Sequence, residues 1–161
     1  MRPTPERVRE TLFNWLAPSM PGAACLDLFA GTGALGLEAL SRGAGAVVFV
    51  EKSPVAARAL RANVKILNAS TADVRQADAL EFLAAPPGDK FDIVFLDPPF
   101  AADMLGDLCR LLDEASMLGS DALVYLEEDR ARPETDLPSG WRILKSKTAG
   151  NVRYSLAQVD Q

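Results

Sequence analysis

The stretch AACLDLFAGTGALGLEALSRG, residues 23–43, decides the fold. Its first part is a short apolar run of strand length. Its last part, ALGLEALSRG, is a helical segment that stops at Gly43, the residue type that most readily ends a helix. Between them lies the turn AGTGALG. Gly31 and Gly33 let the backbone bend sharply and approach a ligand without a Cβ in the way. A strand running through a glycine turn into a helix predicts an α/β unit.

Outward from this unit the alternation recurs. AVVFVE (46–51) reads as a second strand. Ser53 and Pro54 supply cap and first turn for the helix VAARALRANVKILN (55–68), with Ala56, Leu60, Val64 and Leu67 inward. ADVRQAD (72–78) is strand three, ALEFLAA (79–85) a short helix and PPGDK a loop. FDIVFLD (91–97) is strand four. ADMLGDLCRLLDEA (102–115) is a helix carrying Met104, Leu108, Leu111 and Leu112. ALVYLEE (122–128) is strand five. DRARPETDLPSG (129–140) holds too many breakers for a regular element. WRILKSKT and VRYSLAQV flank AGN as a closing hairpin. Upstream, TPERVRETLFNWL is a helix that Thr4 can cap, with Pro5 in its first turn and Val8, Leu12 and Trp15 on one face; APSMPG breaks it. Strands alternating with helices predict a seven-stranded, mostly parallel sheet with helices on both faces and a C-terminal antiparallel hairpin. One domain, residues 1–161, is expected, with an N-terminal helix in residues 1–20 preceding the first strand.

Composition narrows the chemistry. Of 161 residues, 48% are apolar and 24% charged, a globular balance. No apolar run approaches the roughly 20 residues of a membrane span, and no signal peptide opens the chain. No membrane partner is expected, and a cytoplasmic location is. Histidine is absent, which removes Ser-His-Asp and Cys-His catalysis and most zinc sites; no metal is expected. Cys25 and Cys109 fall in core elements and read as buried thiols. The net charge of −5 argues against general charge-driven nucleic-acid binding and leaves room for a local basic patch.

In open α/β sheets ligands bind at the carboxyl ends of the strands. The unusual residues gather there. Strand one leads through Asp27 to Gly31 and Gly33; strands two, three and four end in Glu51, Asp78 and Asp97. GTGALG fits G-x-G-x-x-G, so a nicotinamide dinucleotide must be weighed. Asp27 disfavours it, because a pyrophosphate would not welcome a carboxylate in the approach to the turn. A carboxylate suits a cationic amine, Glu51 suits a ribose diol, and Asp78 can accept from an adenine amine. A ligand with adenine, ribose and ammonium but no phosphate is S-adenosylmethionine. The plainer alternative is a tight turn and nothing more.

Strand four stops at Asp97-Pro98-Pro99-Phe100. Two successive prolines stiffen the backbone and offer no N–H. An ionised Asp97 is an acceptor, and with the Pro98 carbonyl it can grip an exocyclic NH₂ while Phe100 stacks on the attached base. Such an amine is a poor nucleophile, its lone pair being delocalised into the ring. Two aligned acceptors favour an sp³-like nitrogen and stabilise the charge that develops on it. An ordinary Pro-Pro turn is the alternative.

Asp-Pro-Pro-Phe, together with LDLFAGTGALGLEALSRGA and the upstream RPTPERVRETLFNWL, resembles the RsmD-like bacterial methyltransferases acting on guanine N2 of small-subunit ribosomal RNA. The resemblance runs from Arg2 to the final hairpin. It implies the Rossmann-like class I methyltransferase fold and S-adenosylmethionine as cofactor. Asp27, Gly31, Gly33, Glu51 and Asp78 match cofactor positions, with Ala30 and Ala79 beside them. Asp97, Pro98, Pro99 and Phe100 match the catalytic motif. The implied partner is small-subunit ribosomal RNA or a ribosomal particle, and a monomer is expected. Family members usually carry a further basic segment before the RPT stretch, where this sequence has only Met1, so a weak hold on naked RNA is expected.

Arg2, Arg7 and Arg9 lie near one end of the chain, and Arg142, Lys145, Lys147 and Arg153 near the other. Together they would form a basic rim, with Arg2, Arg7 and Phe100 reaching the substrate; scattered solvated charges are the alternative. Trp15 and Trp141 read as packing groups. Three other functions stay open. A DNA or RNA adenine-N6 or cytosine-N4 amino-methyltransferase shares the motif, although 161 residues leave no room for a separate target-recognition domain. A nicotinamide oxidoreductase is disfavoured by Asp27 and the Asp-Pro-Pro-Phe turn. A catalytically silent RNA-binding assembly factor would keep the fold alone.

Overall fold

A computed structural model of the chain describes residues 5–85, 88, 90–98 and 104–160. The order of elements is α1 (Glu6–Leu16), a 3₁₀ turn (Ala17–Ser19), β1 (Ala24–Asp27), α2 (Ala34–Ser41), β2 (Ala46–Glu51), α3 (Pro54–Ile66), β3 (Ala72–Gln76), α4 (Ala79–Ala84), β4 (Phe91–Leu96), α5 (Leu105–Glu114), β5 (Leu118–Asp129), β6 (Trp141–Ala149) and β7 (Val152–Val159). The strands form one seven-stranded mixed sheet in the order β3-β2-β1-β4-β5-β7-β6. This is the expected Rossmann-like arrangement with its terminal hairpin. The chain divides into two compact units, residues 1–79 and 80–161.

In the first unit, β1 and β2 pair in parallel from Ala24↔Ala46 to Asp27↔Phe49, and β2 pairs with β3 from Val47↔Ala72 to Glu51↔Gln76. Asp27 and Glu51 thus close neighbouring strands. Helix α1 buries Val8, Leu12, Phe13 and Leu16, while Trp15 is only half-buried. The stripe follows Phe13 and Leu16 rather than Trp15. Thr4 lies outside the described residues. Helix α3 starts as expected, with Ser53 Oγ accepting from Ala56 N at 3.2 Å and Pro54 in the first turn. Its buried residues are Ala57 and Leu60. Ala56 and Val64 are half-buried, and Leu67 is 61% exposed. Leu67 is the C-cap, its N–H still bonded to the Asn63 carbonyl at 3.0 Å. Strand β3 ends at Gln76, two residues before Asp78, and none of its residues is fully buried.

In the second unit, β4 buries Phe91 and Ile93–Leu96, the mark of a central strand. It pairs in parallel with β5, with a register shift between Phe91↔Leu118 and Ile93↔Leu123. Strand β5 therefore begins four residues before the expected Ala122. The extra residues include Asp121 at φ 59, which takes up the irregularity. Strand β7 runs antiparallel to β5, and β6 antiparallel to β7. Helix α5 buries Leu105, Leu108, Cys109 and Leu112; Met104 and Leu111 are half-buried. Trp141 is buried, its Nε1 donating to Asp113 Oδ1 at 3.3 Å. Both cysteines are buried and neither is in a disulfide. Burial, with the charge of Glu128, pushes the Cys109 thiol up to about 12. No helix among the described residues is long and apolar enough to cross a membrane.

Candidate functional site

The glycine turn is built from the residues that the sequence singled out. Gly31 and Gly33 take φ values of 59 and 91, a left-handed region costly for other residues. Gly33 caps α2, its N–H bonding the Ala30 carbonyl at 2.8 Å. Ala30 is itself buried, and its N–H donates to the Val50 carbonyl. Close packing also favours glycine at positions 33 and 36. A Cβ on Gly33 would come 2.3 Å from Leu60 Cδ1, and one on Gly36 would come 2.2 Å from Phe49 Cε1. Gly36 therefore lets α2 lie directly on the β2 aromatic.

Two buried carboxylates organise this turn. Glu51 Oε1 accepts from Gly31 N at 2.7 Å, and Oε2 accepts from Ser53 N at 2.8 Å. One side chain thus fixes the loop after β1 and the loop after β2. Each carboxylate oxygen has a second lone pair, so Glu51 can still receive hydroxyl donors. Asp27 is 2% exposed, with Oδ2 accepting from Gly36 N at 3.1 Å. Burial pushes its carboxyl up to about 7, against the lowering effect of the Gly36 N–H; the charge of Glu51 adds to the rise. Asp27, Gly31, Gly33 and Glu51 are thus brought together. Asp78 is half-buried at the start of α4, 3.7 Å from the exposed Lys52 Nζ, and Ala79 is buried beside it. Among the described residues no group of three or more His, Cys, Asp or Glu is placed to hold a metal ion.

In the second unit, Asp97 follows directly on β4 and is half-buried, and Pro98 is buried. Pro99 and Phe100 lie outside the described residues, as does Arg2. Sequence reasoning missed the surroundings of Asp97. Tyr125 is fully buried and packs edge-on against Phe95 at 6.5 Å. Burial, then the charge and hydrogen bonding of the neighbouring Glu127, then the charge of Asp97, raise its phenol well above the ordinary value. Glu127 is 3% exposed and pairs across the sheet with the buried Tyr154. The available signal was alternation: in YLEE, Tyr125 and Glu127 share one side of a buried strand.

The basic residues divide. Arg7 is exposed on α1 and Arg9 is half-buried. Arg142, Lys145 and Lys147 are exposed on β6. Arg153 is committed elsewhere, which corrects its place in the expected rim. Its Nε donates to Glu128 Oε1 at 2.9 Å and its Nη2 to the Arg132 carbonyl at 3.0 Å. Thr135 Oγ1 donates to Glu128 Oε2 at 2.6 Å. These bonds pin the irregular segment between β5 and β6.

The family described as conserved hypothetical protein 95 matches residues 1–158. The chain is 44% identical to the ribosomal RNA small subunit methyltransferase D of Escherichia coli strain K12, over 98% of this chain and 79% of that protein. It is also 44% identical to the protein of the same name from Haemophilus influenzae, over 98% of this chain and 83% of that one. The solved structure of the Escherichia coli protein yhhF superposes with a TM-score of 0.94 at 42% identity, covering 99% of this chain and 89% of that chain. A Salinibacter ruber RNA methyltransferase solved with S-adenosyl-L-homocysteine shares the fold, with a TM-score of 0.75 at 18% identity over 99% of this chain and 95% of that one. On the full-length family match and the 44% identities, the chain belongs to the conserved hypothetical protein 95 family, that of the ribosomal RNA small subunit methyltransferases D.

Proposed function

We propose that the chain uses S-adenosylmethionine to methylate the exocyclic N2 amine of a guanine in small-subunit ribosomal RNA, within an assembled particle in the cytoplasm and as a monomer. The observation that carries the cofactor is the pair of buried carboxylates on the glycine turn. Asp27 and Glu51 sit where a pyrophosphate would be repelled. They fit a ligand with a hydroxyl pair and an ammonium. The family relationship supports the substrate class.

The cofactor supplies an electrophilic methyl on a sulfonium. The protein's own part is to hold and orient. Glu51, already fixed by Gly31 and Ser53, accepts from the ribose hydroxyls without further ordering. Asp27, ionised, faces the ammonium. Asp78 accepts from the adenine amine, with Ala79 against the ring and Lys52 turning aside. Asp97 and the Pro98 carbonyl accept the two N–H bonds of the target amine, and Phe100 stacks on its base. The carboxylate stabilises the positive charge that grows on nitrogen. Arg2 and Arg7 contact the RNA backbone.

Label transfer from S-adenosylmethionine tests this. Small subunits lacking the modification should accept label, protein-free RNA less and duplex DNA none. Digestion should yield N2-methylguanosine. Recovery of N6-methyladenine or N4-methylcytosine would reject the substrate and keep the cofactor; no transfer to any nucleic acid would reject the activity.

A further inference from the structure

Two stretches of this acidic chain have the opposite sign: residues 52–72, with four basic residues and no Asp or Glu around α3, and the C-terminal hairpin. Between Leu137 and Val159 there are four basic residues and no Asp or Glu. The segment carries +4 and leaves −9 on the rest of a chain whose total is −5. It forms the hairpin β6–β7, and β6 is an edge of the sheet. One of the four cations, Arg153, is paired with Glu128 at a side-chain exposure of 13%. The other three stand on the exposed edge strand.

In a regular strand, Arg142 would face away from Lys145 and Lys147, because side chains alternate with period two. The structure aligns them. The register shifts between Ile143↔Ala157 and Lys145↔Leu156, so Leu144 is an extra residue in β6. Arg142, Lys145 and Lys147 then pair with Gln158, Leu156 and Tyr154, alternate residues of β7. Paired residues of an antiparallel ladder share a face. Arg142 Nη2 donates to Gln158 Oε1 at 3.0 Å, which fixes that face. The opposite face is marked by the Ser146–Ser155 hydroxyl contact at 2.9 Å. Bulges re-aim side chains in this way. Among the described residues, neither Lys145 nor Lys147 takes part in an ion pair.

Lysine on an edge strand also discourages strand addition, but that purpose needs no alignment of three cations. A row of cations along an extended strand, with no carboxylate within it, is complementary to consecutive phosphates of a nucleic-acid strand. We infer that the bulged face of β6, through Arg142, Lys145 and Lys147, is a docking surface for the phosphate backbone of the substrate RNA. This rests on the proposed RNA substrate, and it assigns an affinity element outside the cofactor and Asp-Pro-Pro-Phe residues. The contact is electrostatic and independent of base sequence.

The test compares wild type with the triple variant Arg142→Gln/Lys145→Gln/Lys147→Gln, and with a charge-matched control on α3, Arg58→Gln/Arg61→Gln/Lys65→Gln. The probe is a fluorescein-labelled single-stranded RNA oligonucleotide, titrated by anisotropy at several salt concentrations. Each phosphate contact contributes about 0.7 to the slope of log affinity against log salt for single strands. The β6 variant should lower that slope by about 2 and weaken binding ten-fold or more at low salt. The α3 control should change neither, and the affinity of all three proteins for S-adenosylhomocysteine should stay equal. An unchanged slope in the β6 variant overturns the inference. So does a variant that binds protein-free RNA like wild type yet no longer sediments with small subunits, because the face would then meet a ribosomal protein. Wild type that binds RNA with the expected slope but transfers no methyl refutes the proposed activity and leaves the surface standing.

Discussion

Glu51 holds two backbone donors from two loops, so its loss should be felt both in binding and in the shape of the turn. Glu51→Ala is expected to weaken S-adenosylhomocysteine binding ten-fold or more by calorimetry, since hydrogen bonds to a charged group are worth about 1.5–3 kcal/mol. Asp97→Ala should separate differently. Cofactor affinity should hold while turnover drops by roughly 10²–10³, the scale of losing one preorganised polar group; turnover within a few-fold of wild type would remove Asp97 from the chemistry. The residues of the glycine turn were legible because spacing alone places them. Glu51 was assigned a ligand role from its position at a strand end, but its grip on Gly31 and Ser53 joins residues 20 positions apart in one case and two in the other, which no periodicity records. Tyr125 and Glu127 escaped notice for the same reason: a buried polar pair inside an apolar strand looks like core until the neighbouring strand is in place.

Helix α2 meets β2 through Gly36, where an added methyl would overlap the Phe49 ring. Gly36→Ala should therefore destabilise by about 1–3 kcal/mol, the usual cost of overpacking, measured by urea unfolding. Phe49→Leu in the same background should recover part of that loss, because the space taken by the methyl is the space the ring vacates. Elements with strong local signals were read correctly. Ser53 and Pro54 announced α3, and the apolar runs of β2 and β4 announced central strands. Elements decided by tertiary pairing were not. Strand β5 begins at Leu118, where it pairs with Phe91, although the apolar run that marked it starts only at Ala122. Leu67 looked inward on a helical wheel, yet it is 61% exposed at the C-cap of α3. The bulge at Leu144 has no sequence signature at all, so the sequence left a basic rim and scattered charges both open for the cations of β6.

For the molecule as a whole, Asp27 sets a pH dependence with an unusual sign. Its carboxyl titrates near 3.8 when unfolded and at about 7 when folded. Between those values the folded state binds more protons than the unfolded state, so stability falls as pH rises, by up to about 1.4 kcal/mol per pH unit. Asp27→Asn should match wild type near pH 4, exceed it in thermal stability at pH 8, and bind cofactor poorly at both. Equal melting temperatures at pH 8 would show that the buried carboxylate carries no such cost. The ammonium of the cofactor favours the ionised form, so wild-type affinity should rise toward pH 7 and level off above it. Fold class was legible at this scale because each strand–turn–helix passage is local. The segregation of charge was visible as composition, but not its alignment. The clasp of Glu128, Arg153 and Thr135 carries a consequence for descent. Glu128 and Arg153 are both shielded from solvent, so losing either strands the other's charge, at roughly 3–5 kcal/mol. Losing both together is far milder. Lineages can leave this arrangement only by paired substitution, so positions 128 and 153 should covary across relatives.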